Sequence, residues 1–266
     1  MRIQDHLLRG KSIACQDTPN RGGLIEPLYL VFHFTAGSSA QSSADWLCNP
    51  RAKASAHVVL GRDGSLWQLA PFNAKTWHAG TSHWDGFSGL NSRSIGIELD
   101  NAGRLSKAGS VYRSWFQAEY PESEVILARH KHEQASDYWH AYTRAQIEKA
   151  FDLALLLVEE YSLRDILGHD DIAPRRKSDP GPAFPLSNLR ARLFGRSEEE
   201  DEAYEVTADF LNIRLGPGIG YAKAGPALSK GTRLSILERR DRWSLVDVQD
   251  SEDTEGWVAN RFIAPC

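Results

Sequence analysis

Cysteine is scarce in this chain. Cys15, Cys48 and Cys266 are scattered, and no CxxC pair occurs. That excludes a cysteine-only metal site, and an odd, dispersed set gives no disulfide framework, so free thiols are expected. Long apolar runs are also missing. No stretch reaches the ~18 apolar residues that suggest a membrane span, and the segment Met1–Lys11 has no apolar core of signal-peptide length. No membrane span is expected. The chain as it stands reads as cytoplasmic, with export by a route lacking an N-terminal signal as the alternative. Nor is there an excess of positive charge. The formal net charge is -4, which argues against nucleic acid as the main partner, because phosphate binding wants a basic face.

What is present suits a soluble globular protein. The chain has 266 residues, 41% hydrophobic and 25% charged, enough for one large domain or one domain plus a small module. Residues 1–27 are polar and broken by Pro19, Gly22, Gly23 and Pro27, and read as an irregular arm. The run 28–34, Leu-Tyr-Leu-Val-Phe-His-Phe, reads as a buried strand. His33, near its end, is either a satisfied core histidine or a site residue facing a loop. Ser42 to Asn49 reads as a helix stopped by Pro50, with Trp46 and Leu47 inward. Asp63-Gly64 between apolar runs marks a hairpin over 56–69. Trp77-His-Ala-Gly80 clusters an indole, an imidazole and a glycine. In 94–99, Ile95, Ile97 and Leu99 share one face, and Ser94, Gly96 and Glu98 the other. Glu98 is therefore either solvated at an edge or aimed into a site.

The region 101–142 interleaves aromatic and polar residues without a clear period, and reads as a long loop or partly helical insertion at a cleft rim. Thr143-Arg-Ala-Gln146 has the form of a capping box. The helical spacing that follows predicts a helix over 144–161 that packs on the sheet, and a shorter helix is predicted over 186–194. Between them, 168–182 packs His169, three carboxylates and three cations among prolines and glycines. These fix the backbone and deny it a helix. His169 and Asp179 could ligate a metal there, with Lys177 near a developing negative charge. The alternative is a solvated charged loop. Residues 197–202 are acidic and read as a linker. Short strands after it, divided by turns at Gly216-Pro-Gly218 and Lys230-Gly231, predict a small β-barrel.

Taken together, Val31-Phe-His33, Ser55-Ala-His57, Arg62-Asp-Gly64, Trp77-His-Ala-Gly80, Ser94-Ile-Gly-Ile-Glu98 and Gly168-His169 through Asp179-Pro-Gly-Pro182 resemble the zinc-dependent N-acetylmuramoyl-L-alanine amidases. That group is related to peptidoglycan recognition proteins and phage-type lysozymes. The resemblance spans roughly 28–185. Leu211-Asn-Ile-Arg214, Gly216-Pro-Gly218 and Gly256-Trp-Val258 resemble a bacterial SH3 domain. The fold implied is α/β, a mixed central sheet with flanking helices, plus a small all-β barrel. The domains expected are a catalytic domain over 1–195, an acidic linker over 196–203 and an SH3-like domain over 204–266.

Position by position, the resemblance implies Zn2+ held by His33, His169 and Asp179, with Glu98 as general base and Lys177 as the cation stabilising the oxyanion. Phage-type relatives carry a tyrosine where this chain has Ala56 and lack the strand carboxylate, so the proton shuttle falls to Glu98. His57 is expected to be structural and His78 a cleft residue. Arg175 or Arg176 either holds substrate carboxylates or is solvated. The activity implied is hydrolysis of the amide between the lactyl group of N-acetylmuramic acid and L-alanine, in peptidoglycan or soluble muropeptides. A non-catalytic peptidoglycan-binding protein on the same fold is the alternative. The SH3-like module is expected to bind cell wall, with Tyr221 and Trp243 as its aromatic candidates; it favours a wall-lytic role, whereas the lack of a signal favours recycling in the cytoplasm.

Overall fold

The computed structural model describes residues 1–194, 204–248 and 254–266. They divide into two compact units, Met1–Leu193 and Phe194–Cys266. Six strands build the central sheet of the first: β1 (Ile13–Cys15), β2 (Tyr29–Phe34), β3 (Val58–Leu60), β4 (Leu66–Gln68), β5 (Ser94–Leu99) and β6 (Asp165–Gly168). Their spatial order is β6-β2-β5-β3-β4-β1. β6, β2, β5 and β3 run parallel. β4 returns antiparallel to β3, and β1 is parallel to β4. Parallel strands are covered on both faces and so read as near-continuous apolar runs. β2 has that character, with Leu30, Val31 and Phe32 all buried.

Four helices accompany the sheet: α1 (Ala40–Leu47), α2 (Arg144–Tyr161), α3 (His169–Ile172) and α4 (Leu186–Phe194). α2 and α4 cover one face. Ala150, Leu153, Ala154, Leu157 and Leu189 share a core there with Leu30, Phe32, Ile95, Ile97, Leu99 and Ile166. Burying each large side chain is worth ~1.5–3 kcal/mol, so this face anchors the unit. On the other face α1 packs Ala40, Ala44 and Leu47 on Ala56, Val59 and Leu69.

Several sequence expectations need correcting. Residues 1–27 are not irregular; they hold four short strands, including β1 within the central sheet. Trp46 points outward while Leu47 is buried. Thr143 caps α2 by accepting from the Gln146 N–H at 3.1 Å. The Gln146 amide does not complete a box; it donates inward to the Leu60 and Asp100 carbonyls at 3.0 and 3.1 Å. Those carbonyls lie buried at strand ends, where an unpaired acceptor is costly.

The region 101–142 is mainly strand, with one short 3-10 turn at Glu122–Glu124. It forms a five-stranded antiparallel sheet in the order Glu119–Tyr120, Val111–Arg113, Arg104–Ala108, Ser136–His140, Val125–Arg129. Leu105 and Tyr112 are buried on one face of this sheet and Trp139 on the other, against Gly181, so its strands lack the clean alternation of a sheet buried on one side. The stretch 168–182 does admit one helical turn, α3, before its first proline.

The second unit is all-β. Its main sheet is antiparallel, in the order Glu255–Ala259, Trp243–Val248, Arg233–Arg240, Tyr204–Val206, Ile263–Pro265. Val206, Ile213, Leu234, Val246 and Val258 form its core. At Gly256 any Cβ would sit 2.5 Å from Ile213 Cγ1 and 2.9 Å from the Arg214 carbonyl, which explains glycine before Trp257. Tyr221 is exposed and Trp243 half-buried. The expected linker over 196–203 lies outside the described residues.

Candidate active site

β2 and β5 run in register with His33 opposite Glu98. Phe32 and Ile97 face α2, so alternation turns His33 and Glu98 to the opposite face, at the carboxyl ends of their strands. Gly168 on β6 sits beside Phe32, so His169 opens α3 next to His33. Ligands of open α/β sheets bind at this end of the strands. Asp179 returns from the loop after α3, where its carbonyl accepts from the Asp170 N–H at 2.9 Å.

The three side chains converge. His33 Nδ1 lies 2.9 Å from His169 Nδ1 and 3.0 Å from Asp179 Oδ2. His169 Nδ1 lies 2.9 Å from the same oxygen. All three residues are buried.

Their hydrogen bonds determine what faces that point. A carbonyl only accepts, so His169 donates its Nε2–H to the Ala79 carbonyl at 3.1 Å, leaving a lone pair on Nδ1. Ser94 Oγ donates to the Leu90 carbonyl at 2.6 Å. It therefore accepts from His78 Nε2–H at 3.2 Å. His78 Nδ1 then accepts from His33 Nε2–H at 2.9 Å, and His33 Nδ1 also carries a lone pair. Two imidazole lone pairs and a carboxylate oxygen thus meet with no proton between them. Such a set is completed by a cation. Ligands ~2 Å from one ion at tetrahedral angles stand ~3.3 Å apart, close to the spacing here. The residues fit a metal ion.

The electrostatics agree. Burial lowers His33 to about 4, helped by the His169 charge and opposed by Asp179. Burial first, then neighbouring imidazoles, hold His78 well below the ordinary histidine value. Burial pushes Asp179 up, but the two imidazoles beside it outweigh that and hold it below the usual carboxylate range. Glu98 Oε2 is buried with no hydrogen-bond partner. Burial, and next the Asp179 charge, raise this carboxyl well above its ordinary value, while Lys177 opposes them. A raised carboxyl beside a metal donor set can take a proton and return it.

His57 is structural. It accepts from the Gly96 N–H at 3.0 Å on Nδ1 and donates Nε2–H to the Ala74 carbonyl at 2.8 Å. His78 does not line the cleft; it orients His33 from behind. Gly96 leaves room for it, since a Cβ there would stand 2.4 Å from His78 Cγ. Lys177 is exposed, and its charge reaches both Glu98 and His33. Arg176 is committed to the protein, donating to the Ala79 and Thr81 carbonyls at 2.9 and 2.7 Å. Arg175 is exposed.

The loop that bears His169 is gripped by the sheet of residues 104–140, a role the sequence did not disclose. His130 Nε2–H donates to Asp170 Oδ2 at 2.9 Å. Lys131 Nζ lies 2.8 Å from Asp170 Oδ1 and 2.6 Å from Asp171 Oδ1. His132 Nε2–H donates to the Asp170 carbonyl at 2.9 Å, and Tyr142 OH to the Pro180 carbonyl at 2.8 Å. The basic His130-Lys-His132 and acidic Asp170-Asp171 pairs were visible, but nothing local says that they meet.

A strand-end site of two histidines and an aspartate on a mixed sheet defines an α/β domain with a candidate metal site. A sequence profile of N-acetylmuramoyl-L-alanine amidases matches residues 24–182, and the chain belongs to that family. A profile of bacterial SH3 domains matches residues 209–264. The chain is 35% identical over 132 residues to the N-acetylmuramoyl-L-alanine amidase AmiD of Escherichia coli (strain K12), a match covering 49% of this chain and 38% of AmiD. It is 35% identical over 138 residues to the 1,6-anhydro-N-acetylmuramyl-L-alanine amidase AmpD of the same strain, covering 52% of this chain and 57% of AmpD. The matches thus span 38% and 57% of the lengths of these two curated relatives. A crystal structure of a selenomethionine AmpD derivative superposes with a TM-score of 0.50 at 25% identity, over 72% of this chain and 98% of that one.

Proposed function

We propose that this protein is a zinc amidase that cleaves the amide between the lactyl group of N-acetylmuramic acid and L-alanine. The observation that carries the reading is the convergence of His33 Nδ1, His169 Nδ1 and Asp179 Oδ2 beside the unpartnered Glu98 carboxylate. These three residues would hold Zn2+, which would polarise the substrate carbonyl and lower the pKa of a water molecule at the site. Glu98 takes the proton of the attacking water and hands it to the leaving amine of L-alanine. Lys177 balances negative charge on the carbonyl oxygen as it develops. His78 and Ala79 hold the two imidazoles in the tautomers that metal binding requires. The names of the relatives, both muramoyl-L-alanine amidases, support the same substrate class.

The first unit is the catalytic domain and the second a targeting module that supplies no catalytic group. A wall-binding module raises effective concentration at the polymer. No described helix is long and apolar enough to cross a membrane.

The test pairs soluble anhydro-muropeptides with intact sacculi and identifies products by mass spectrometry. Free peptide beginning with L-alanine is expected, and chelation should stop its release. Glu98→Gln should retain zinc by elemental analysis yet lose ~10²–10⁴-fold in turnover. A chain ending at residue 195 should keep activity on soluble muropeptides and lose it on sacculi. If the zinc-loaded protein binds both substrates and cleaves neither, it is a peptidoglycan-binding protein instead.

A further inference from the structure

The relay from Ser94 through His78 fixes the tautomer of His33, and His169 has a counterpart on its other side. Its Nε2 points at the Ala79 carbonyl, 3.1 Å away. Arg176 Nη2 donates to the same carbonyl at 2.9 Å and to the Thr81 carbonyl at 2.7 Å. A terminal guanidinium nitrogen carries two hydrogens, so both are spent on carbonyls. Nη2 also lies 3.4 Å from His169 Nε2, but it has no hydrogen left to donate there. A lone pair on Nε2 would face the lone pairs of a carbonyl and a nitrogen with nothing to give. A proton on Nε2 instead meets the second lone pair of the Ala79 oxygen. The proton therefore stays on Nε2, and Nδ1 turns its own lone pair toward His33 and Asp179.

The carbonyls that occupy Arg176 are themselves held. Ala79 is fully buried, and its N–H donates to Asn91 Oδ1 at 2.7 Å. Gly80 follows with φ of 58°, in the left-handed region. The guanidinium lies across it, since a Cβ there would stand 3.5 Å from Nη2. That turn brings the Ala79 and Thr81 carbonyls to one nitrogen. Arg176 itself belongs to the turn between α3 and Asp179, where the N–H groups of Arg176 and Lys177 both donate to the Ala173 carbonyl, at 3.2 and 3.1 Å. The arginine thus ties the metal loop to the 79–81 turn. A bidentate grip on a substrate carboxylate needs two guanidinium nitrogens, and Nη2 is already taken by the protein.

We propose that Arg176 is a positioning residue for the metal site. With its Nη2 hydrogens engaged by Ala79 and Thr81, it holds His169 in the Nε2–H tautomer that presents Nδ1 to the ion, and it does not serve as a clamp for substrate carboxylates. The inference rests on the reading of His33, His169 and Asp179 as zinc ligands, and not on the identity of the substrate.

The test uses the full-length protein. Nitrogen NMR of the imidazole rings at alkaline pH reads the His169 tautomer in the metal-free chain, and chelator competition reads zinc affinity. Wild type should carry its proton on Nε2. Arg176→Ala should show a mixture of the two tautomers and bind zinc on the order of 10-fold more weakly, the low end of the scale for losing an outer partner of a metal-ligating histidine. Arg176→Lys keeps the charge, but its single rotating nitrogen has a third hydrogen that can serve a lone pair on Nε2. It should restore only part of the affinity, and it also answers the question if Arg176→Ala does not fold. Kinetics of the zinc-loaded proteins then compare a muramoyl peptide whose stem carboxylates are free with one whose carboxylates are amidated. The ratio of kcat/KM between the two should be the same in wild type and Arg176→Ala. A folded Arg176→Ala protein with the wild-type tautomer and zinc affinity overturns the proposal, as does a loss confined to KM for the peptide with free carboxylates. If wild type cleaves neither peptide, the amidase reading falls, and the tautomer and affinity measurements still decide the role of Arg176.

Discussion

Gly96→Ala tests the chain of contacts behind the metal site. Gly96 lies on β5 under the ring of His78, and a Cβ there would stand 2.4 Å from Cγ, 2.6 Å from Nδ1 and 2.8 Å from Cδ2. The first is about 1 Å short of the 3.4 Å at which ordinary contact begins. The obstructing atoms form a rigid ring, so the imidazole must move as a whole by about that much. His78 then loses its 2.9 Å bond to His33 Nε2 and its 3.2 Å bond to Ser94 Oγ. His33 is freed to rotate or change tautomer. Overpacking costs ~1–3 kcal/mol, and losing the group that orients a ligating histidine typically lowers metal affinity ~10–100-fold. Zinc affinity by chelator competition and thermal melting of the metal-free protein read the two effects separately. The double variant Gly96→Ala with His78→Ala removes the clash, so it should be no less stable than His78→Ala alone. Wild-type zinc affinity in Gly96→Ala would refute the reasoning, since it would mean that His78 does not position His33.

Lys177→Met should move the acidic limb of kcat/KM to higher pH. Lys177 lowers the Glu98 pKa, the base acts only when deprotonated, and a bound metal affects both proteins alike; a stationary limb would separate the two residues. Asp170→Ala removes the partner of His130 and Lys131 and should cost about 2 kcal/mol, with faster amide exchange across α3. If neither changes, the 104–140 sheet does not hold the metal loop. Burial keeps His57 at about 4, against ~6.5 in an unfolded chain. The unfolded state alone binds the proton between those values. The contribution is therefore complete above ~6.5 and lost as pH falls toward 4, at up to ~1.4 kcal/mol per pH unit. Urea titrations should show His57→Gln losing less stability to acid than wild type, and parallel curves would contradict this.

The elements legible from sequence were those whose signal is local. β2 is a near-continuous apolar run, β5 is an apolar strand with one polar face, and α2 shows a sustained helical period with Thr143 before it. His33, Glu98, His169, Asp179 and Lys177 could be picked out because they sit at strand ends or in a proline- and glycine-bounded loop, and because their spacing resembles a family. The 101–142 region was misread for a physical reason. Its strands are only two to five residues long and bury side chains on both faces, Leu105 and Tyr112 on one and Trp139 on the other, so no period-2 signal builds up.

By itself the sequence determined which residues have chemistry to offer and which segments must be buried, since both follow from side-chain type and short-range periodicity. Tertiary structure alone decided where those residues meet. Parallel pairing set His33 level with Glu98. The crossover through α2 brought His169 alongside them. The relay from Ser94 through His78 chose the tautomer of His33. The 104–140 sheet reached back over the loop of Asp170. These contacts join positions 16 to 136 residues apart. Chain connectivity permits them, but only packing, strand register and the cost of leaving buried polar groups unpaired select them.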